Sequence, residues 1–253
     1  MPEDFLGLDG RSLVVTGASS GIGRASAVLA SRQGARVTLI ARREEALQET
    51  RAAMAGDGHR IVPCDLSDHV AVTAALRETA VEQGALDGLI HAAGIHATTP
   101  LRTITAEQVS TVLETNVTDT LMLVKAFRHR QVRGEDPAVV LMSSVAGMVG
   151  EAGVSAYAAS KAAVAAIGRS LALELSRERI RVNSIAAGIV ETALTRGIRE
   201  RVGEAGWERI EAMHPLGTGL PEDVARAALY LVSSASAWVT GTTLVVDGGY
   251  TAQ

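Results

Sequence analysis

Seven short apolar runs, most of them closing on small or polar residues, set the tightest limit on how this chain can fold. They are Leu13-Val14-Val15, Ala35 to Arg42, Ile61 to Leu66, Gly88 to Gly94, Ala138 to Gly147, Ile180 to Gly188 and Thr242 to Gly249. Helix-compatible stretches separate them: 24–33, 43–54, 70–83, 106–130 and 155–178. Strands that alternate with helices in this way need crossover connections, and so imply an α/β fold with a parallel sheet covered on both faces. Short β-branched runs without polar alternation suit strands that meet water on neither side.

Composition narrows the class further. At 253 residues, with 47% hydrophobic and 21% charged, the chain can bury a sizeable core. Seven aromatic residues leave that core to Ala, Val, Leu and Ile. One domain is expected over 1–253, with no low-complexity linker and no solenoid repeat. The segment 191–219, rich in Arg and Glu, reads as either a solvated helix pair or a flap over a site. A net charge of −4 without a long basic block argues against nucleic acid as the main partner. The single Cys64 excludes an internal disulfide and a cysteine zinc site. The acidic start lacks an apolar signal core, and no apolar stretch is long enough to cross a bilayer, so a cytoplasmic location is expected.

The first strand runs into Thr16-Gly17-Ala18-Ser19-Ser20-Gly21-Ile22-Gly23 and then a helix. Glycines there let the main chain approach a pyrophosphate and let the helix pack on the sheet, with N–H groups facing the anion. Gly17, Ser19, Ser20, Gly21, Ile22 and Gly23 are the expected cofactor contacts. An acid at the end of the second strand would hold a ribose 2′-hydroxyl, but this chain has Ala41 there, followed by Arg42 and Arg43. A small residue with two guanidinium groups suits a 2′-phosphate, which points to NADP(H) over NAD(H). The alternative is that the arginines pair with Glu44, Glu45 or other surface acids.

At the other end, Ser144 closes an apolar strand. Tyr157 and Lys161 lie four residues apart, on one helix face. A neighbouring ammonium is expected to lower the tyrosine pKa. Tyr157 would then exchange a proton while Ser144 hydrogen-bonds a carbonyl oxygen. On its own, such a pair also fits an ordinary exposed helix face.

Taken together, the glycine loop, His91-Ala92-Ala93-Gly94, Leu113 to Val117, Ser144 thirteen residues before Tyr157, the Tyr157 to Lys161 segment, Arg181 to Gly188 and the C-terminal Val239 to Gly249 resemble the short-chain dehydrogenase/reductase family over nearly the whole chain. The resemblance implies a doubly wound Rossmann-type domain that moves a hydride between NAD(P) and a carbonyl or alcohol. It implies that Asn116 holds a water in a proton relay and that Ser144 orients the substrate. Tyr157 would act as general acid/base, and Lys161 would bind the nicotinamide ribose. Asp65 with Leu66 would meet the adenine end; Ala92, Ala93 and Gly94 would line the cofactor, and Gly188, Val190 and Thr192 would meet the nicotinamide. A homotetramer or homodimer is implied too.

The chain departs from the family pattern at His91-Ala92, where Asn-Asn is usual, at Ala187, where proline is usual, and in the segment Pro215 to Ala225. The branch that includes 3-oxoacyl-(acyl carrier protein) reductases is the alternative enzyme reading. Lys125, Arg128, Arg130 and Arg133 would attract an acidic carrier, yet Leu173 stands where that branch often has arginine. An NADP(H)-binding sensor or scaffold without turnover is the reading from another class. No histidine pair has metal-ligand spacing, so no metal is expected. His96 either reaches the substrate or lies on an exposed loop, and Cys64 reads as a small core residue. The apolar residues after Ser144, with Glu151 the one charge before Tyr157, suit a neutral or moderately hydrophobic ketone or alcohol.

Overall fold

The alternation of one-residue pleats decides which layer each strand residue joins. In Ser12–Thr16 (β1), Leu13 and Val15 face one apolar cluster and Val14 faces the other, and all three are fully buried. The remaining strands are Arg36–Ala41 (β2), Arg60–Pro63 (β3), Leu86–His91 (β4), Arg133–Ser144 (β5), Arg181–Ala187 (β6) and Thr243–Val246 (β7). All pair in parallel in the order β3-β2-β1-β4-β5-β6-β7. This computed structural model describes residues 5–252; of the domain expected over 1–253, residues 1–4 and 253 lie outside the described residues.

Helices Gly21–Arg32 (α1), Glu44–Ala52 (α2) and Pro221–Val232 (α8) cover one face with Ala27, Ala30, Leu47, Val224 and Leu229. His69–Gln83 (α3), Asp119–Phe127 (α5) and Ser155–Glu174 (α6) cover the other with Leu76, Leu123, Phe127 and Val164. The protein is therefore a single-domain, doubly wound α/β fold. β1 and β4 lie side by side where the strand order reverses, so the loops after them open a crevice at the carboxyl edge.

Helix α8 lies outside the helix-compatible stretches named above, and two further elements differ from expectation. The helix expected over 106–130 is broken: Ala106–Leu113 (α4) passes through a wide π turn at Glu114–Thr118 before α5 begins. β5 starts at Arg133 rather than Ala138, because a bulge sets Arg133 opposite Leu86 and Ala138 opposite Gly88.

Candidate active site

The nucleotide end begins at Gly17, whose φ of +65° suits glycine, and where a Cβ would come within 2.7 Å of the Ala93 nitrogen. A Cβ on Gly23 would overlap the Gly17 carbonyl, so that glycine brings α1 onto the loop. Ser20 precedes α1 without capping it through its side chain, which leaves the first helical N–H groups facing the crevice. A cavity of about 550 Å³ opens there, lined by Gly17, Ser19, Ser20, Arg42, Arg43 and Asp65, with Leu66, Ala92, Ala93 and Gly94 on its walls. Arg42 and Arg43 follow β2 directly and are exposed. Neither forms an ion pair among the described residues, so pairing with Glu44 or Glu45 is not what holds them. Asp65 accepts from the backbone and hydroxyl of Ser67, and these bonds, led by the backbone one, hold its carboxyl below the usual range.

A smaller cavity of about 220 Å³ adjoins it and shares Ser20, Ala92, Gly94 and Ile95. Ser144, Tyr157, Lys161, Gly188, Val190 and Thr192 line it, together with Gly21 and Ile22. The parallel register sets Ser144 opposite Ala187, and the Ser144 hydroxyl donates to the Ala187 carbonyl at 3.4 Å. Ser143 Oγ donates to the Lys161 carbonyl at 2.7 Å, clamping α6 to the end of β5. The Lys161 ammonium donates to the Met142 carbonyl at 2.9 Å and lies 5.7 Å from the Tyr157 ring centroid.

The expected lowering of the Tyr157 pKa is not what this environment produces. Burial pushes the phenol up; the hydrogen bond with Ser144 pulls it down, and Glu151 adds a further upward push. Burial also holds Lys161 to about 8. That has a testable consequence. Between about 8 and the ordinary value of 10.5, the unfolded chain keeps a proton that the folded one has lost. Stability from this group therefore rises with pH across that interval. Denaturant midpoints at both ends of the interval are expected to show the rise, and Lys161→Met is expected to flatten it.

Asn116 sits in the π turn, buried behind Ile95 rather than on either cavity wall. Its Oδ1 accepts from the Ile95 N–H at 2.9 Å, and its Nδ2 donates to the Ile95 carbonyl at 2.9 Å and to Ser160 Oγ at 3.0 Å. Of the other residues expected to contact cofactor, Gly23 likewise lies behind the lining. His96 is half-buried, its ring edge-on to Tyr157 with centroids 4.5 Å apart. Burial lowers its pKa, helped by Arg201 and Lys161. Burial raises the Glu151 carboxyl and also the Cys64 thiol, which lies on the nucleotide cavity wall. Thr111, Thr115 and Asp119 line that cavity as well. Sequence reasoning missed them, although their spacing of four residues marks one helical face.

The segment 191–219 is tied at both ends. Val190 bridges Gly219, the Gly219 N–H donates to Ile189, and the Glu191 N–H donates to Gly219. Between them, Ala193–Ala212 (α7) is broken at Gly203, whose φ of 69° and ψ of 174° are not helical. Trp207 is only 6% exposed, under the Arg199 guanidinium at 5.5 Å. The Leu216 N–H donates to Gly248 and docks this region, while the Gly188 N–H donates to Val246 and closes the end of the β6–β7 pair, despite the departures from the family pattern at Ala187 and Pro215 to Ala225.

A family model described as enoyl-(acyl carrier protein) reductase matches residues 17–251. Carbonyl reductase family member 4 of Danio rerio is 38% identical over 240 residues, covering 94% of this chain and 97% of the relative. Cis-4-hydroxycyclohexanecarboxylate dehydrogenase of Sinomonas cyclohexanicum is 38% identical over 247 residues, covering 96% and 97%. The crystal structure of a short-chain type dehydrogenase/reductase from Mycobacterium marinum superposes with a TM-score of 0.90 at 32% identity, covering 99% of each chain.

Proposed function

The chain belongs to the short-chain dehydrogenase/reductase family, and from that premise we propose that it transfers a hydride between NADP(H) and a carbonyl or secondary alcohol, with Tyr157 as general acid/base. Members of this family are oxidoreductases that use nicotinamide cofactors, and this chain acts on carbonyl or alcohol groups. The observation that carries the finer reading is the convergence of Ser144, Tyr157 and Lys161 on a small cavity continuous with the glycine cradle.

The residues fit such a cofactor on structural grounds. The cleft is two-ended, its middle is kept open by a loop a Cβ would fill, and two guanidinium groups that form no ion pair among the described residues stand at one end. Gly17, Ser19 to Ile22, Ala92 to Gly94, Asp65 and Leu66 would hold the adenosine and pyrophosphate, Arg42 and Arg43 a 2′-phosphate, and Gly188, Val190, Thr192 and Lys161 the nicotinamide half. When bound, the nicotinamide gives or takes the hydride.

The chain's own residues do the rest. Ser144 donates a hydrogen bond to the substrate oxygen and orients it. The Tyr157 hydroxyl, protonated at neutral pH as any ordinary phenol is and held there more firmly by burial, gives that oxygen a proton in reduction and takes it back in oxidation. The Lys161 ammonium favours the phenolate that forms when the proton leaves. Asn116 fixes the Ile95 loop and Ser160 beside Lys161, and its turn would hold the relay water that the family resemblance implies. Ile95, Met142, Ala187 and Val190 give the substrate end a mainly apolar wall beside His96, and the segment 191–219 closes over it as a flap.

NADPH oxidation against acetoacetyl thioesters, cyclic ketones, aldehydes and diketones tests this reading, with NADH run alongside. Turnover with ketones or aldehydes, faster with NADPH, is the expected result; cofactor binding without turnover on any of them would favour a sensor or scaffold. Thioesters leading the panel would promote the carrier-protein reading. Against that reading, Leu173 is 80% exposed where the arginine would stand, and Arg128 and Arg133 are both bound to Glu178. A homodimer or homotetramer remains part of the proposal. Among the described residues no helix is long and apolar enough to cross a membrane.

A further inference from the structure

We infer that His91, which stands where the family usually has asparagine, is a positioning residue: as a neutral Nε2–H imidazole it links β1 to the π turn and so holds Asn116 in place. The relevance to catalysis rests on the function proposed above; the hydrogen-bond assignment does not.

The assignment follows from one committed proton. Thr120 Oγ1 lies 2.7 Å from the Asn116 carbonyl, which can only accept, so the threonine proton points there. His91 Nε2 lies 2.9 Å from the same hydroxyl oxygen, and must therefore donate to it. On the other side, His91 Nδ1 lies 2.7 Å from Thr16 Oγ1. With Nε2 protonated, the neutral ring keeps a lone pair on Nδ1, which accepts the Thr16 proton. The Thr16 oxygen in turn accepts from the Ala93 N–H at 3.4 Å. Every donor in the chain from Ala93 to Asn116 then points the same way, and the opposite tautomer would set two lone pairs against each other at Thr120.

No water is needed to complete this chain, since Thr16, His91 and Thr120 are all buried, His91 being 3% exposed. An imidazolium would set an N–H on Nδ1 against Thr16. Burial first, and then the nearby Lys161 ammonium, keep the ring neutral, with its pKa held to about 3. What His91 holds matters because Asn116 fixes both backbone groups of Ile95 and the Ser160 hydroxyl of α6, next to Lys161. A shift of the π turn is thus passed to the loop carrying His96 and to the helix carrying Tyr157 and Lys161. An asparagine at position 91 is too short to reach both threonines.

Two measurements test this on the full chain. Long-range nitrogen–proton correlation spectra of 15N-histidine protein, with the His91 signal assigned by its loss in His91→Gln, are expected to show the Nε2–H tautomer, unchanged between about pH 5 and pH 8. The Nδ1–H tautomer, or a titration inside that range, would overturn the assignment whether or not the protein turns over any carbonyl.

Kinetics then separates positioning from packing. Glutamine places an amide donor near the Nε2 site, asparagine places an acceptor near the Nδ1 site, and leucine supplies neither. His91→Asn and His91→Leu are expected to lose about tenfold in kcat, the effect of one unmade buried hydrogen bond, with cofactor affinity retained. His91→Gln is expected to restore most of that loss. Faster amide exchange at Ile95 is expected in the asparagine and leucine proteins but not in the glutamine one. Equal losses in all three variants, or none in any, would sink the inference. Should the leucine protein fail to fold, the isosteric Thr120→Val removes the same link and is expected to show the same kcat loss; unchanged kcat there counts against it.

Discussion

Replacement of Tyr157 by phenylalanine is expected to cut kcat by about a thousandfold, within the range for loss of a general acid/base, and to leave NADPH affinity nearly unchanged. The ring stays, with its edge contact to His96 and its distance to Lys161. Only the proton-carrying oxygen is lost. Cofactor titration by fluorescence together with initial rates would separate the two effects. A phenylalanine protein that keeps substantial turnover would move the acid/base role off Tyr157. Direction of reaction adds a second signature. A phenol is protonated at neutral pH, and burial makes it more so, so carbonyl reduction finds its proton donor ready. Alcohol oxidation needs the phenolate, and its rate is expected to climb as pH rises.

Ala41→Asp is expected to reverse the cofactor preference. Ala41 ends β2 on the wall of the nucleotide cavity, directly before Arg42 and Arg43. A carboxylate there repels a 2′-phosphate, competes for the two guanidinium groups and accepts hydrogen bonds from an unphosphorylated ribose. Loss of charge-assisted bonds of about 1.5–3 kcal/mol corresponds to a roughly 10- to 100-fold weaker Kd for NADPH. NADH should tighten or hold. A ratio of the two dissociation constants that does not move would show that the arginines do not select the cofactor.

The sheet was legible from the sequence because each strand is a short β-branched run, and parallel burial leaves that signature undiluted. The glycine loop was legible because close approach to Ala92 and Ala93 admits no side chain at Gly17. Ser144, Tyr157 and Lys161 could be brought together by a strand end and a four-residue helical step. The π turn at Asn116 could not be read. One extra residue in a helical turn changes hydrogen-bond register without needing any distinctive residue type, and Glu114 to Thr118 look like ordinary helix. The Tyr157 pKa was misjudged for a related reason. Sequence places the ammonium four residues away, but it does not show that the phenol is desolvated or that Lys161 is held on the Met142 carbonyl. His91 looked like a lost amide until Thr16 and Thr120, distant in the chain, proved to lie on either side of it.

The stretch between Val190 and Gly219 leaves the sheet and returns to nearly the same point, its two ends bonded to each other. Such an excursion is rooted at one place on the sheet and pinned again by the Leu216 bond to Gly248 and the stacking of His214 on Tyr250. Its length, its break at Gly203 and the side chains on its inner surface can change over generations without altering strand register or the crevice at β1 and β4. As the flap proposed above, this stretch lets substrate range drift while the sheet edge that carries the crevice stays fixed.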